Sequence, residues 1–297
     1  MNRIALLCLV VWLSVLVGCG SGGGKTPERA TVSVTILPLK YLVDSIGGGD
    51  FEAVVVVPPG ASPETYEPTL LQMKEVARSE AYFQIGLIDF EKPFEAGIRN
   101  NSPEMRFVDL SQGLALIEGG HSHDHSHSPD DGHHHGVDPH VWLSPVRMRQ
   151  MAQKIAETLS EIRPDSAEKY AENRNRIIST IDSVGRYIVR SFSGLKSSGF
   201  LIYHPFLSYY AGDYGLRQIP VEREGKEPSA AYLKTLISTI SDEGIRTVFY
   251  QEGQHRRTVE PLIREAGLQA VVLDPLAYDW AENMKTITDH IKESLDE

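Results

Sequence analysis

The sequence predicts an α/β protein of two lobes joined by one long helix, and three observations carry that reading. From residue 30 onward, short apolar runs alternate with longer amphipathic ones, the pattern of parallel strands separated by crossover helices. After residue 197 the same alternation begins again. Between them, Ala167, Tyr170, Ala171, Arg174, Ile177, Ile178, Ile181, Val184 and Ile188 fall on one helical stripe within 165–195. Thirty residues of helix reach about 45 Å, long for a crossover inside one sheet and natural for a strut between lobes. A coiled-coil dimer seam would need a strict heptad with flanking charges; none is present, so a monomer is expected.

Taken in order, 31–36 reads as the first strand, and 39–46 as a helix stopped by Gly47, Gly48 and Gly49. The β-branched run 51–57 reads as a strand buried on both faces, cut off by Pro58, Pro59 and Gly60. After the loop 61–68, Leu70, Met73, Val76 and Ala77 mark the inward stripe of a helix over 69–79. Strands follow at 81–86 and 106–110. Ser144 and Pro145 open a helix that closes before Pro164, and Asp165 or Ser166 caps the strut. In the second lobe, strands are expected at 199–203, 216–221, 247–250 and 269–273, with helices at 230–243, 258–266 and 281–295.

Arg3, the apolar run 4–17 and Gly18 before Cys19 have the layout of a secretory leader with its cleavage point. The run is shorter than the roughly 20 apolar residues of a membrane span. With cysteine at the cleavage point, the segment resembles the leader of a bacterial lipoprotein whose mature chain starts at lipidated Cys19. Cys8 lies in the removed peptide, so the folded part holds no disulfide and no thiolate ligand. The organisation expected is a signal peptide (1–18), a lipidated Gly/Ser tether (19–29), a first lobe (30–163), a linking helix (164–196) and a second lobe (197–297). Residues 1–18 carry one charge, Arg3, so their removal takes the formal net charge from -11 to -12. So acidic a chain is a poor partner for nucleic acid or anionic headgroups and is compatible with a cation.

Eight of the eleven histidines lie between His121 and Pro145. Seven of them, His121, His123, His125, His127, His133, His134 and His135, sit in the polar loop 120–136, where i, i+2 pairs can close weak chelates and act as an accessory zinc collector. Four other places share a pattern of a metal-competent side chain beside a proline: Glu64, His140, His204 and Asp274. In open α/β sheets ligands bind beyond the carboxyl ends of the strands, so two facing lobes can bring four such residues to one ion. Alone, His204 would read as a hydrogen-bonded structural histidine; it is the four-loop pattern that makes it a ligand candidate. His255 and His290 have no partner in sequence and read as surface residues. Glu252 could orient an imidazole.

At these residues the chain resembles the metal-specific class of ABC-transporter solute-binding proteins, the zinc/manganese lipoprotein type. The motifs are VPPGASPETYEPT from Val57, the His-rich loop, DPHVWLSP from Asp138, YHPFLSYYAGDYGL from Tyr203, EPSA from Glu227 and LDPL from Leu273. The resemblance implies two Rossmann-like lobes joined by a rigid helix, a metal cleft between them, and His140, His204 and Asp274 as ligands. It also implies a non-enzymatic, lipid-anchored receptor of the bacterial envelope that delivers zinc to the membrane subunit of an ABC importer. The family usually has Pro-His where this chain has Pro63-Glu64. Glu64 can replace that imidazole in a tetrahedral zinc site, two carboxylates also suit manganese, and a loop residue such as His133, His134 or His135 could supply a third imidazole. The dense imidazole tract favours zinc. A zinc hydrolase, with Glu252 as its only nominated base, and a zinc-buffering adhesin are the readings from other classes. Histidine ligation predicts affinity that falls with pH near ~6.5.

Overall fold

The computed structural model describes residues 29–117, 136–195, 197–223, 226–251 and 256–296. Strands β1 (Ala30–Val34), β2 (Phe51–Val55), β3 (Ala81–Gln84) and β4 (Arg106–Asp109) form a parallel sheet in the order β2-β1-β3-β4. Strands β5 (Gly199–Ile202), β6 (Arg217–Pro220), β7 (Thr247–Tyr250) and β8 (Gln269–Val272) form a second, in the order β6-β5-β7-β8. The two orders are the same, so the repeat in the apolar pattern is a repeat of topology. In both sheets the first strand in sequence is central and pairs on both sides.

The helices begin and end where local chemistry dictates. α1 (Leu37–Gly47) has Pro38 in its first turn and stops at Gly48, whose φ of 58° a side chain would strain. α2 (Leu70–Val76) opens on a reciprocal capping box between Thr69 and Gln72. α3 (Glu91–Arg99) follows β3. α4 (Pro145–Ile162) is capped by the Ser144 hydroxyl, which accepts from the Arg147 N–H. α5 (Ala167–Ser191) is the strut, α6 (Ser208–Tyr214) follows β5, and α7 (Ala230–Glu243), α8 (Arg256–Ala266) and α9 (Trp280–Asp296) complete the second lobe. No helix among the described residues is long and apolar enough to cross a membrane.

The strut has 25 residues, about 37 Å. It is shorter than the sequence pattern suggests, because Pro164–Ser166 forms a separate 3-10 turn and the chain leaves the helix at Phe192. Tyr170, Ile177, Ile181, Val184 and Ile188 are buried along it. They join a single apolar cluster that runs from Leu42 and Phe83 in the first lobe, through Trp142 and Ile155, to Phe200, Phe206, Trp280 and Ile287 in the second. Opening the lobes widely would expose that shared core, so the frame resists large hinging.

Three local expectations change. β2 pairs on one side only and Glu52 is exposed, so the valine-rich run is an edge strand rather than one buried on both faces. Helices α3 and α6 escape the periodicity reading because each is short, nine and seven residues. Leu70, assigned to the inward stripe of its helix, is instead 77% exposed. α2 starts at Leu70 itself, and only Val76 is buried in the cluster of Val56, Tyr82, Phe94, Ile98 and Met105.

One buried carboxyl organises the end of β3. Glu91 is fully buried and accepts from the N–H groups of Ile85 (2.7 Å), Gly86 (2.7 Å) and Ile88 (3.2 Å) and from the Thr35 hydroxyl (2.5 Å). Burial pushes its carboxyl up to about 7, against those four donated bonds. Gly86 is required there, since at φ 85° a Cβ would lie 2.0 Å from Asp109 Oδ1. Glu91→Ala leaves three backbone donors without their acceptor and is expected to cost on the order of 3–6 kcal/mol, read from denaturant midpoints at pH 7.

Candidate metal centre

Each histidine of the site leaves a strand or a turn with its backbone already held. His204 follows β5, and the parallel register Ile202↔Pro220 carries on past the strand ends, where the Glu222 N–H donates to the Tyr203 carbonyl at 2.9 Å. Glu222 is thereby laid beside His204. His140 precedes the 3-10 turn Val141–Leu143, and the Asp138 carboxylate accepts both its backbone N–H (2.9 Å) and its Nδ1–H (2.8 Å). The Asp138 carbonyl accepts in turn from the buried Tyr209 hydroxyl at 2.8 Å, and that hydroxyl also takes the Ile117 N–H at 3.1 Å. Arg147, stacked 4.3 Å over the Tyr209 ring, donates to the Ala115 carbonyl at 2.9 Å. The chain on either side of the His-rich tract is therefore pinned to the second lobe.

Glu64 comes from the loop between β2 and α2. Its Oε2 lies 2.9 Å from His204 Nε2 and its Oε1 lies 3.6 Å from His140 Nε2. The two imidazoles meet edge to face, with centroids 5.3 Å apart. Glu64, His140 and His204 each offer one donor atom within 4.8 Å of the others. On both rings Nε2 faces this common point while Nδ1 is turned to a carboxylate: Asp138 for His140, and Glu222 at 3.4 Å for His204. This is the arrangement that fixes tautomer and orientation in metal-binding imidazoles. Trp142 and Phe206 close the apolar wall behind the rings, at 5.2 and 6.3 Å from His140.

Electrostatics follow from this packing. Burial opposes ionisation of Glu64, but the His204 hydrogen bond and the nearby charge of both histidines outweigh it and hold the carboxyl below the usual carboxylate range. Burial likewise opposes the charge on Asp138, yet His140 brings it down to about 2. For His204, burial favours the neutral ring, and Glu222 and Glu64 together overcome it and raise the imidazole to about 10. Below that value His204 holds a proton that a cation binding through this ring would have to displace.

Not every predicted residue joins the group. Asp274 is exposed and stands outside the three-donor set; its Oδ1 accepts from the Leu276 N–H at 2.8 Å. Its loop is tied to the His140 segment, because the Trp142 indole donates to the Pro275 carbonyl (2.8 Å) and the Trp280 indole to the Trp142 carbonyl (2.7 Å). Cys19, Glu252, His255 and the seven tract histidines lie outside the described residues. His290 is a half-exposed helix residue 3.7 Å from Glu293. Sequence reasoning missed Glu222, which no spacing rule connects to His204, and it named Asp138 without seeing its role, although a carboxylate two residues before a ligand histidine is a usable signal. Glu222→Ala is expected to weaken zinc binding 10–100-fold, measured by chelator competition.

Comparison with known proteins agrees with this geometry. Residues 32–294 match the family described as zinc-uptake complex component A, periplasmic (ZnuA). The chain belongs to this family. The family resemblance read from the motifs and the two-lobed α/β fold are thus both borne out. A crystal structure of ZnuA is similar at 32% identity, with a TM-score of 0.81, over 90% of this chain and 99% of that one. The zinc-binding protein AdcA of Streptococcus pyogenes serotype M3 is 27% identical over 88% of this chain. The zinc-binding lipoprotein AdcA of Streptococcus pneumoniae (strain ATCC BAA-255 / R6) is 26% identical over 98% of it. The chain spans only 53% and 58% of the lengths of these two relatives.

Proposed function

We propose that this protein is an extracytoplasmic receptor that captures zinc between its lobes and delivers it to the membrane subunit of an ABC importer. The observation that carries the reading is the convergence of Glu64, His140 and His204 within 4.8 Å, with the Nδ1 of each imidazole turned to a buried carboxylate. Two nitrogens and one carboxylate oxygen are a zinc donor set, and rings held in place by outer carboxylates need little reorganisation to receive an ion. Asp274 is the proposed fourth ligand. It would exchange its bond to the Leu276 N–H for the ion, while the tryptophan pair keeps its loop beside His140. In the same reading Cys19 is the lipid anchor that holds the protein in the bacterial cell envelope, on its periplasmic or extracellular face, and the histidines of 120–136 are a weak collector.

Manganese is the second reading, and Glu64 is the feature that favours it, since each oxygen donor shifts preference toward harder ions. Native mass spectrometry of the wild type, Glu64→Ala and Asp274→Ala, with zinc and manganese in competition, tests both. One zinc per chain displacing manganese is expected for the wild type, with zinc retention weakened in both variants. Preferential retention of manganese would replace zinc as the cargo. Undiminished zinc binding in Asp274→Ala would remove that residue from the site.

A further inference from the structure

Two consecutive leucines beside the metal loop are the most exposed large hydrophobic side chains among the described residues. Leu70 and Leu71 are 77% and 75% exposed, and the next, Val189, is 59%. They are the first two residues of α2 and follow Glu64 by six and seven positions.

The pair is rigidly presented. The Gln72 side chain accepts the Thr69 N–H at 2.9 Å and donates to the Val56 carbonyl at 2.8 Å, and Gln72 Nε2 lies 2.7 Å from the Tyr66 hydroxyl. The Tyr66 ring packs edge-on against Phe90 at 6.0 Å, and Val76 is buried beneath the helix. Knobs held in this way lose little conformational freedom on docking, so their apolar surface is available for binding. The same bonds run backward along the chain, since Tyr66 is two residues from Glu64. Gln72 and Tyr66 thus tie the helix that carries the leucines to the loop that supplies a metal donor.

We infer that Leu70 and Leu71 dock on the extracytoplasmic face of the importer's membrane subunit. The inference rests on the receptor reading given above. The partner's surface is an apolar socket that complements an acidic chain of formal charge -11, with exposed Glu67 just before the leucines and exposed Lys74 one helical turn after them. A second copy of the chain fits less well. A stable dimer buries about 800 Å² per partner, far more than two leucines offer, whereas a small contact suits an encounter made and broken at each delivery.

The test is zinc uptake by cells whose only copy of this chain is Leu70→Asp/Leu71→Asp, alongside zinc affinity of the purified variant. Affinity within twofold of wild type with uptake reduced about tenfold or more is the expected result. Leu70→Ser/Leu71→Ser, checked for native circular dichroism, should show a smaller loss in the same direction. A photo-cross-linker at position 71 should capture the membrane subunit. Wild-type uptake in the Asp variant, or capture of a second copy instead, overturns the docking surface. Should the wild-type chain itself support no uptake, the receptor reading falls first, and that result is distinct from a failure of the leucine pair.

Discussion

Replacing His204 by alanine is expected to weaken zinc binding by more than about 100-fold. His204 is the hub of the centre. Its Nε2 lies 2.9 Å from Glu64 and its Nδ1 is turned to Glu222, so the substitution removes a donor and leaves two carboxylates facing a cavity. Loss of an outer partner alone usually costs 10–100-fold, and loss of the ligand itself exceeds that. The fold should survive, because the neighbouring residues Phe206 and Trp142 belong to the large apolar core shared by both lobes. Chelator-competition titration with circular dichroism as a control reads the effect. An affinity within tenfold of wild type would show that the three-residue group is not the zinc site.

Zinc affinity should also climb by about tenfold per pH unit across the neutral range, roughly 100-fold from pH 6 to pH 8. The sign follows from His204. Its imidazole is raised to about 10 in the metal-free protein, so below that pH it holds a proton, and zinc requires the neutral ring. Each binding event at neutral pH then expels that proton. Glu64 is held below the ordinary carboxylate range and contributes nothing over this window. Calorimetry in buffers of different ionisation enthalpy should detect about one proton released from this ring at pH 8. An affinity that stays flat between pH 7 and pH 8 and falls only near ~6.5, as an unperturbed histidine would dictate, sinks the prediction. The same shift has an opposite consequence for the metal-free fold. A raised histidine stabilises it fully below about pH 6.5, and that contribution disappears as pH rises through about 10.

Both predictions depend on residues of unequal legibility. His140 and His204 could be nominated from sequence because a histidine beside a proline where a strand or turn ends is a local pattern. Glu64 carried a weaker signal of the same kind, and the structure gives it the central position between the two rings. Asp274 had as good a sequence pattern as His204, yet its carboxylate is turned to its own loop. Pattern identifies which side chains can reach a cleft. The conformation of the loop decides which of them do.

Alternation of period two and period 3.6 is a property of neighbouring residues, so the sequence by itself determined the order of the strands and of the longer helices, the parallel α/β class, the repeat of one lobe in the other and the strut between them. Contacts between distant residues have no such local signature. Only the tertiary structure placed Glu222 against His204, through the pairing of β5 with β6, and enclosed Glu91 beneath Gly86. It alone turned Leu70 outward, because the cluster that receives α2 is too small to cover its first turn. The physical reason is the same in each case. Periodicity states which face of an element is apolar, while the depth of the surface it meets determines how much of that face is covered.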